Sequence, residues 1–154
     1  MALSLTSPAF THQAPIPATY TCDGGNRSPM LQWTAPPPRT KSLSLISHDP
    51  DAPAGTWIHW VLYNLPPTQR ELRAGFPSDA ILPDGTRQGL TDFGTTGYGG
   101  PCPPSGTHRY VFTLYALDTM LPPLATPTAQ ALRQAMEGHI VSQAELVGTY
   151  RRAR

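Results

Sequence analysis

Two stretches, SHDPDAPAGTWIHWVLYNLP at residues 47–66 and GYGGPCPPSGTHRYVF at residues 97–112, each run a stiff loop into an aromatic-rich segment through a histidine. In the first, the prolines of Asp49-Pro50-Asp51-Ala52-Pro53 lock φ and so fix the direction of both carboxylates before the chain re-enters a strand carrying His59. In the second, a glycine-rich loop leads to His108 and Tyr110, which lie two apart and therefore share one face of a strand, with Arg109 on the other. If Asp49 and His59 meet them, the result is a small concave site of two imidazoles, a phenol, a carboxylate and the free backbone N–H groups of Gly99 and Gly100, a set suited to an anion. Each feature also has an ordinary reading. Asp beside Pro forms turns, as Asp51 can, a strand histidine is commonly a structural hydrogen-bonding residue, and Gly with Pro spells a turn. The functional reading rests on their joint occurrence, two stiff loops each delivering a histidine into an apolar strand.

The elements that must position these groups are mostly strands. Leu3-Ser4-Leu5-Thr6-Ser7 and Lys41-Ser42-Leu43-Ser44-Leu45-Ile46-Ser47 alternate, the period that puts one face on a core and the other in solvent. Residues 58–64 and 109–117 are rich in aromatic and β-branched side chains and bounded by Pro or Gly, which fits central strands. One helix is signalled by Thr126 as its cap, Pro127 at its first position, Ala129, Leu132 and Met136 on one face, and Gly138 as its stop. A second, short helix is expected from Thr68 to Arg73, ended by Gly75. After residue 138, Ser142 and Glu145 fit a capping box while the alternation through Tyr150 fits a strand; the strand is the expectation. Nineteen prolines lie between the apolar runs, where they can join short strands but not interrupt a ladder. The sum is a mainly β fold, a sandwich of two antiparallel sheets with Greek-key connections and one or two short helices near the C-terminal end.

Composition narrows the functions. The 154 residues suit a single domain, 1–154, and no apolar run approaches the roughly 20 residues that span a bilayer. A formal net charge of +1 with scattered basic residues excludes a nucleic-acid groove, and the cluster Tyr150-Arg151-Arg152-Ala153-Arg154 is read as a solvated tail. MALSLTSPAF has neither the basic start nor the apolar run of a secretory signal, so the cytoplasm is expected; Cys22 and Cys102 could form one bridge across a long loop, but free thiols are the expectation. Asn26-Arg27-Ser28 matches a glycosylation sequon but reads here as a polar turn. A hydrolase is weakly supported: there is no G-x-S-x-G elbow, Ser105 has no evident base, and Cys102 would need a depressed pKa. His59, His108, Asp49 and Cys102 show no local zinc spacing, so no metal and no cofactor is expected.

Together DPDAP, GTWIHWV and GYGGPCPPSGTHRYVF resemble the phosphatidylethanolamine-binding protein family, to which the Raf kinase inhibitor proteins belong. With YTCDGGNRSP at 20–29, TKSLSL at 40–45, YALD at 115–118 and AMEGHI at 135–140, the resemblance extends over nearly the whole chain and is closest to the short bacterial branch. It implies a β-sandwich with a small cavity for phosphate, acetate or a phosphoethanolamine head group, a non-enzyme, and a homodimer or a regulated protein partner as options. The family's pocket falls on Asp49, His59, a wall of Gly99-Gly100-Pro101, His108 and Tyr110. By that resemblance Asp49 orients an imidazole or meets a ligand ammonium, His59 and His108 donate to the anion, Tyr110 supplies a phenolic donor, and Asp51 braces the loop. His48 stands where the bacterial pattern has an acidic residue, and the chain ends at Arg154 without the C-terminal helix of the animal forms, a departure expected to leave the pocket less covered.

Overall fold

Alternation of serine and leucine in residues 42–45, and the aromatic runs that follow, build the middle of a sheet. A computed structural model describes residues 3–152. Its strands are β1 (Leu5–Thr6), β2 (Leu31–Trp33), β3 (Ser42–Asp49), β4 (Trp57–Leu65), β5 (Glu71–Leu72), β6 (Arg87–Gln88), β7 (His108–Leu117) and β8 (Ile140–Tyr150), with the helix α1 (Ala129–Met136) between the last two and a single 3₁₀ turn at Ala18–Tyr20. They form a three-stranded sheet, β1-β2-β5, and a five-stranded sheet, β6-β4-β3-β7-β8, antiparallel throughout.

The main core lies between the sheets, where Leu43, Leu45, Trp60, Leu62, Phe112 and Leu114 meet Leu5, Leu31, Trp33 and Leu72. A second cluster packs Ile46, Val61, Tyr63 and Leu117 under Ala129, Leu132 and Met136 of α1. Covered on both faces, β3 departs from the expected pattern of one wet face: all its residues are buried except the half-buried His48. Ser42 Oγ on that strand donates to the Thr119 carbonyl at 2.6 Å, whereas Ser44 Oγ and His48 Nδ1 are buried with no partner among the described residues.

Two irregularities in the β3–β4 pairing matter for the site. Between Leu43 and Leu45 the register shifts, and Asn64 takes up the extra residue with φ at 59°, a left-handed value that asparagine tolerates. Its amide donates to the Leu121 carbonyl at 2.8 Å and accepts from the Leu121 N–H at 2.9 Å. Between Ser47 and His48 it shifts again, because Ser47 pairs with Trp60 but His48 pairs with Ile58. His59 is thus the extra residue, and the bulge turns it to the same side as Trp60 rather than the opposite one.

Four expectations need correction. Residues 68–73 form no helix; Glu71 and Leu72 pair with β2, since Leu72 completes the inter-sheet core at full burial. The α1 cap is Thr128 and not Thr126: the Thr128 side chain accepts from the Ala131 N–H, and Pro127 lies outside the helix. Cys22 and Cys102 are bridged rather than free, a proximity hidden by a separation of 80 residues. The C-terminal residues through Arg152 are no free tail, because Tyr150 pairs with His108 in β8 and Arg152 forms an ion pair with Asp23 at 2.9 Å; Ala153 and Arg154 lie outside the described residues.

Candidate ligand-binding site

Where β3 stops and β4 and β7 begin, their ends enclose a cavity of about 210 Å³. Its lining consists of Asp49, Ala52 and Pro53 from β3 and the turn after it, Trp57 and His59 from β4, Phe93, Cys102, Pro103 and Pro104 from loops, and His108 and Tyr110 from β7. Asp49, His59, His108 and Tyr110 are therefore brought together.

Asp49 is 3% exposed and has both oxygens engaged: Oδ2 accepts from His108 Nδ1 at 2.6 Å and Oδ1 accepts from the Asp51 N–H at 2.7 Å. The second bond is an Asx turn, the local closure that an Asp-Pro-Asp sequence favours. Asp51 points outward and takes three bonds from Arg109, whose N–H, Nε and Nη2 lie 2.8–2.9 Å from its oxygens. The guanidinium beside it holds the Asp51 carboxyl down to about 2. Arg109 thus ties the 49–53 loop to β7 on the face opposite His108, at an exposed pair that solvent screens.

His59 Nδ1 donates to the Gly99 carbonyl at 2.6 Å, and its ring stands edge-on to Tyr110 and Phe93 at 5.2 and 5.3 Å. A carbonyl can only accept, so the proton is fixed on Nδ1 and Nε2 remains for a ligand. Burial lowers the His59 pKa, partly offset by the Gly99 carbonyl and by the Asp49 and Asp92 carboxylates. Tyr110 lies close to parallel with the His108 ring, 6.5 Å away, and its hydroxyl is buried with no partner among the described residues. Burial raises its pKa, and the Asp49 carboxylate acts in the same direction through its charge and as a weak acceptor toward the hydroxyl, so the phenol stays protonated and can donate.

Gly99, Gly100 and Pro101 do not line the cavity, and the expectation that they offer free N–H groups is overturned. Gly99 N–H donates to the His59 carbonyl at 3.0 Å, Gly100 N–H to Asn26 Oδ1 at 2.8 Å, and the Pro101 carbonyl accepts from Cys22 N–H at 3.1 Å. A Cβ on Gly99 would lie 2.3 Å from the Phe93 ring, and one on Gly100 would lie 2.4 Å from the Tyr20 carbonyl oxygen. These glycines permit close packing behind the wall. The wall itself is the apolar surface of Pro53, Pro103, Pro104 and the bridged Cys102.

Sequence reasoning missed Trp57 and Phe93, which form an edge-to-face pair with centroids 5.6 Å apart at the mouth and are 36% and 44% exposed. Trp57 had a signal, because it precedes His59 by two in an extended segment. Phe93 had none, lying in a turn distant in sequence from every other site residue.

Comparison with known proteins agrees with this fold. The family model described as phosphatidylethanolamine-binding protein matches residues 6–151. A UPF0098 protein from Methanothermobacter thermautotrophicus is 50% identical over 150 residues, covering 97% of this chain and 99% of that protein. A crystal structure from Chlamydia trachomatis, described as a phosphatidylethanolamine-binding protein homologue, superposes with a TM-score of 0.90 at 44% identity and covers 99% of both chains. Escherichia coli YbcL, described as a member of the mammalian family, gives a TM-score of 0.90 at 32% identity over 99% of this chain and 100% of that one.

Proposed function

Since the chain belongs to the phosphatidylethanolamine-binding protein family, we propose that its cavity is a preformed, noncatalytic site for a small oxyanionic ligand, of the size of phosphate, acetate or a phosphoethanolamine head group, and that occupancy regulates a partner protein. The observation that carries this reading is the Tyr110 hydroxyl, 1% exposed as a residue and unpartnered beside the Asp49–His108 pair. An unmet buried hydroxyl costs about 1–3 kcal/mol, which a ligand oxygen would offset.

Size supports a head group rather than a whole lipid. About 210 Å³ is below the roughly 300 Å³ at which drug-sized pockets begin. Neither thiol nor serine hydroxyl is on offer for turnover, because the Cys102 sulfur is bridged to Cys22 and Ser105 is not in the lining. The exposed Trp57–Phe93 pair favours a second reading, in which the anion is a side chain of a docked protein and the two rings grip its flanking residues. No helix among the described residues is long and apolar enough to cross a membrane. The bridge fits an oxidising compartment better than the cytoplasm expected from the sequence.

A ¹⁵N–¹H NMR titration with phosphate, phosphoethanolamine and acetate tests the proposal. Saturable shifts at the amides of Trp57, His59 and Tyr110, weakened in His108→Ala, are expected. Absence of shifts at about 10 mM ligand would overturn it, since weak sites of this kind bind in the millimolar range or better.

A further inference from the structure

The donors and acceptors of the cavity point to a narrower ligand class than anions in general. Its polar groups mostly accept. Asp49 brings a carboxylate with lone pairs beyond the bonds from His108 and Asp51. His59 and His108 each donate from Nδ1 at 2.6 Å, to Gly99 and Asp49, and a neutral imidazole that donates from one nitrogen accepts at the other. Pro53, Pro103 and Pro104 carry no N–H, and none of the described lining residues is Lys or Arg. Against these stand the phenolic hydroxyl of Tyr110 and the indole N–H of Trp57.

Charge leads to the same place. The groups around His59 are Asp49 and His48 of β3, Asp92 of the loop beyond β6, and His108 and Tyr110 of β7. Arg109 is on the far side of β7, occupied by Asp51. Protonating His108 would place an imidazolium 2.6 Å from the Asp49 carboxylate, which cancels that charge without leaving a net positive one. A bare dianion here would set lone pairs against lone pairs and negative charge beside Asp49, the arrangement by which sites reject the wrong ligand.

We infer that the cavity takes its oxyanion in a form that still carries a hydrogen, a P–OH group donating to Asp49 or to a free imidazole nitrogen while another oxygen accepts from Tyr110. This rests on the oxyanion reading above and sharpens it. The favoured ligand becomes inorganic phosphate, which keeps a hydrogen near neutral pH, followed by phosphate monoesters in their singly ionised form; carboxylates such as acetate, fully ionised near neutral pH, are disfavoured. Sulfate, which matches phosphate in shape and charge but has no hydrogen near neutral pH, is excluded.

Isothermal titration of the wild-type protein with inorganic phosphate and with sulfate, at about pH 6 and about pH 8 in buffers free of both anions, tests this directly. Phosphate is expected to bind on the order of a hundredfold more tightly than sulfate at about pH 8, because a site built for a ligand hydroxyl strongly rejects the analogue that lacks it. Phosphate affinity is expected to rise toward about pH 6 as the ligand gains its second hydrogen. In Asp49→Asn, whose amide can donate, sulfate should gain relative to phosphate; if that variant does not fold, the wild-type contrast stands alone. Sulfate binding as tightly as phosphate at about pH 8 would overturn the inference and leave the oxyanion reading intact. Failure of both ions to bind at either pH would overturn both.

Discussion

Behind the cavity wall, residues 98–101 use their polar groups on the neighbouring chain: Tyr98 Oη donates to the Tyr20 carbonyl, Gly99 and Gly100 donate to His59 and Asn26, and the Pro101 carbonyl accepts from Cys22. On the cavity floor the opposite holds, with the Tyr110 hydroxyl unpartnered and an imidazole nitrogen of His59 and of His108 left over. The difference separates two tasks. A wall saturated by its own chain holds its shape with no ligand present, so little ordering entropy remains to be lost on binding. A floor with open hydrogen-bonding positions gives that fixed shape something to recognise. Changes behind the wall should therefore be read in stability, and changes in the floor should be read in binding.

The largest effect expected from this contrast is at the bridge. Cys22→Ser with Cys102→Ser opens a link closing 80 residues of chain and should lower the unfolding free energy by about 2–5 kcal/mol in urea denaturation. A change near zero would mean that hydrogen bonds alone hold the wall. Next comes Gly100→Ala, whose Cβ would sit 2.4 Å from a backbone oxygen that cannot rotate away. Overpacking of that kind costs about 1–3 kcal/mol, visible as a lower thermal midpoint, and an unchanged midpoint would show the 18–26 loop to be looser than its bonds suggest.

How much of this was legible follows the same division. The floor could be read because strand periodicity puts His108 and Tyr110 on one face and the Asp-Pro-Asp turn fixes Asp49 at a strand end. His59 lines the cavity, but the reason it points inward is the bulge opposite Ser47 and His48, which no local pattern announces. The wall was misread. Glycines followed by prolines look like a cradle of N–H groups, and only the tertiary position of Tyr20, Cys22 and Asn26 shows where those groups go. The same long-range contact hid the bridge. Thr126 and Thr128 are equally good caps by type, and their order was settled by where the chain enters the helix; residues 68–73 were drawn into a sheet because Leu72 fills the inter-sheet core.

His59 belongs to both regions, since its backbone and ring bond the wall while Nε2 is open to the floor, and it sharpens the comparison through pH. Burial places its folded pKa below the ordinary 6.5, so the unfolded chain binds the proton more readily. Stability from this group is complete above 6.5 and is lost as pH falls through that value toward the folded pKa; His48, also lowered by burial, adds with the same sign. Denaturation midpoints at about pH 7.5 and about pH 5.5 should show the lower stability in acid, with a weaker slope in His59→Gln. Equal slopes in the two proteins would assign the acid sensitivity elsewhere.

The smallest change in stability is expected where the effect on binding should be clearest. Tyr110→Phe removes one oxygen that has no partner, so the folded protein loses no hydrogen bond and sheds a desolvation penalty. Its unfolding free energy should stay within about 1 kcal/mol of wild type, or rise. Phosphate affinity should nonetheless fall about tenfold, the equivalent of one lost hydrogen bond to a charged group. A large loss of stability would mean that the hydroxyl is satisfied in the free protein by ordered water, and the floor would then resemble the wall. Unchanged affinity together with unchanged stability would remove Tyr110 from recognition and leave the Asp49–His108 pair to carry it alone.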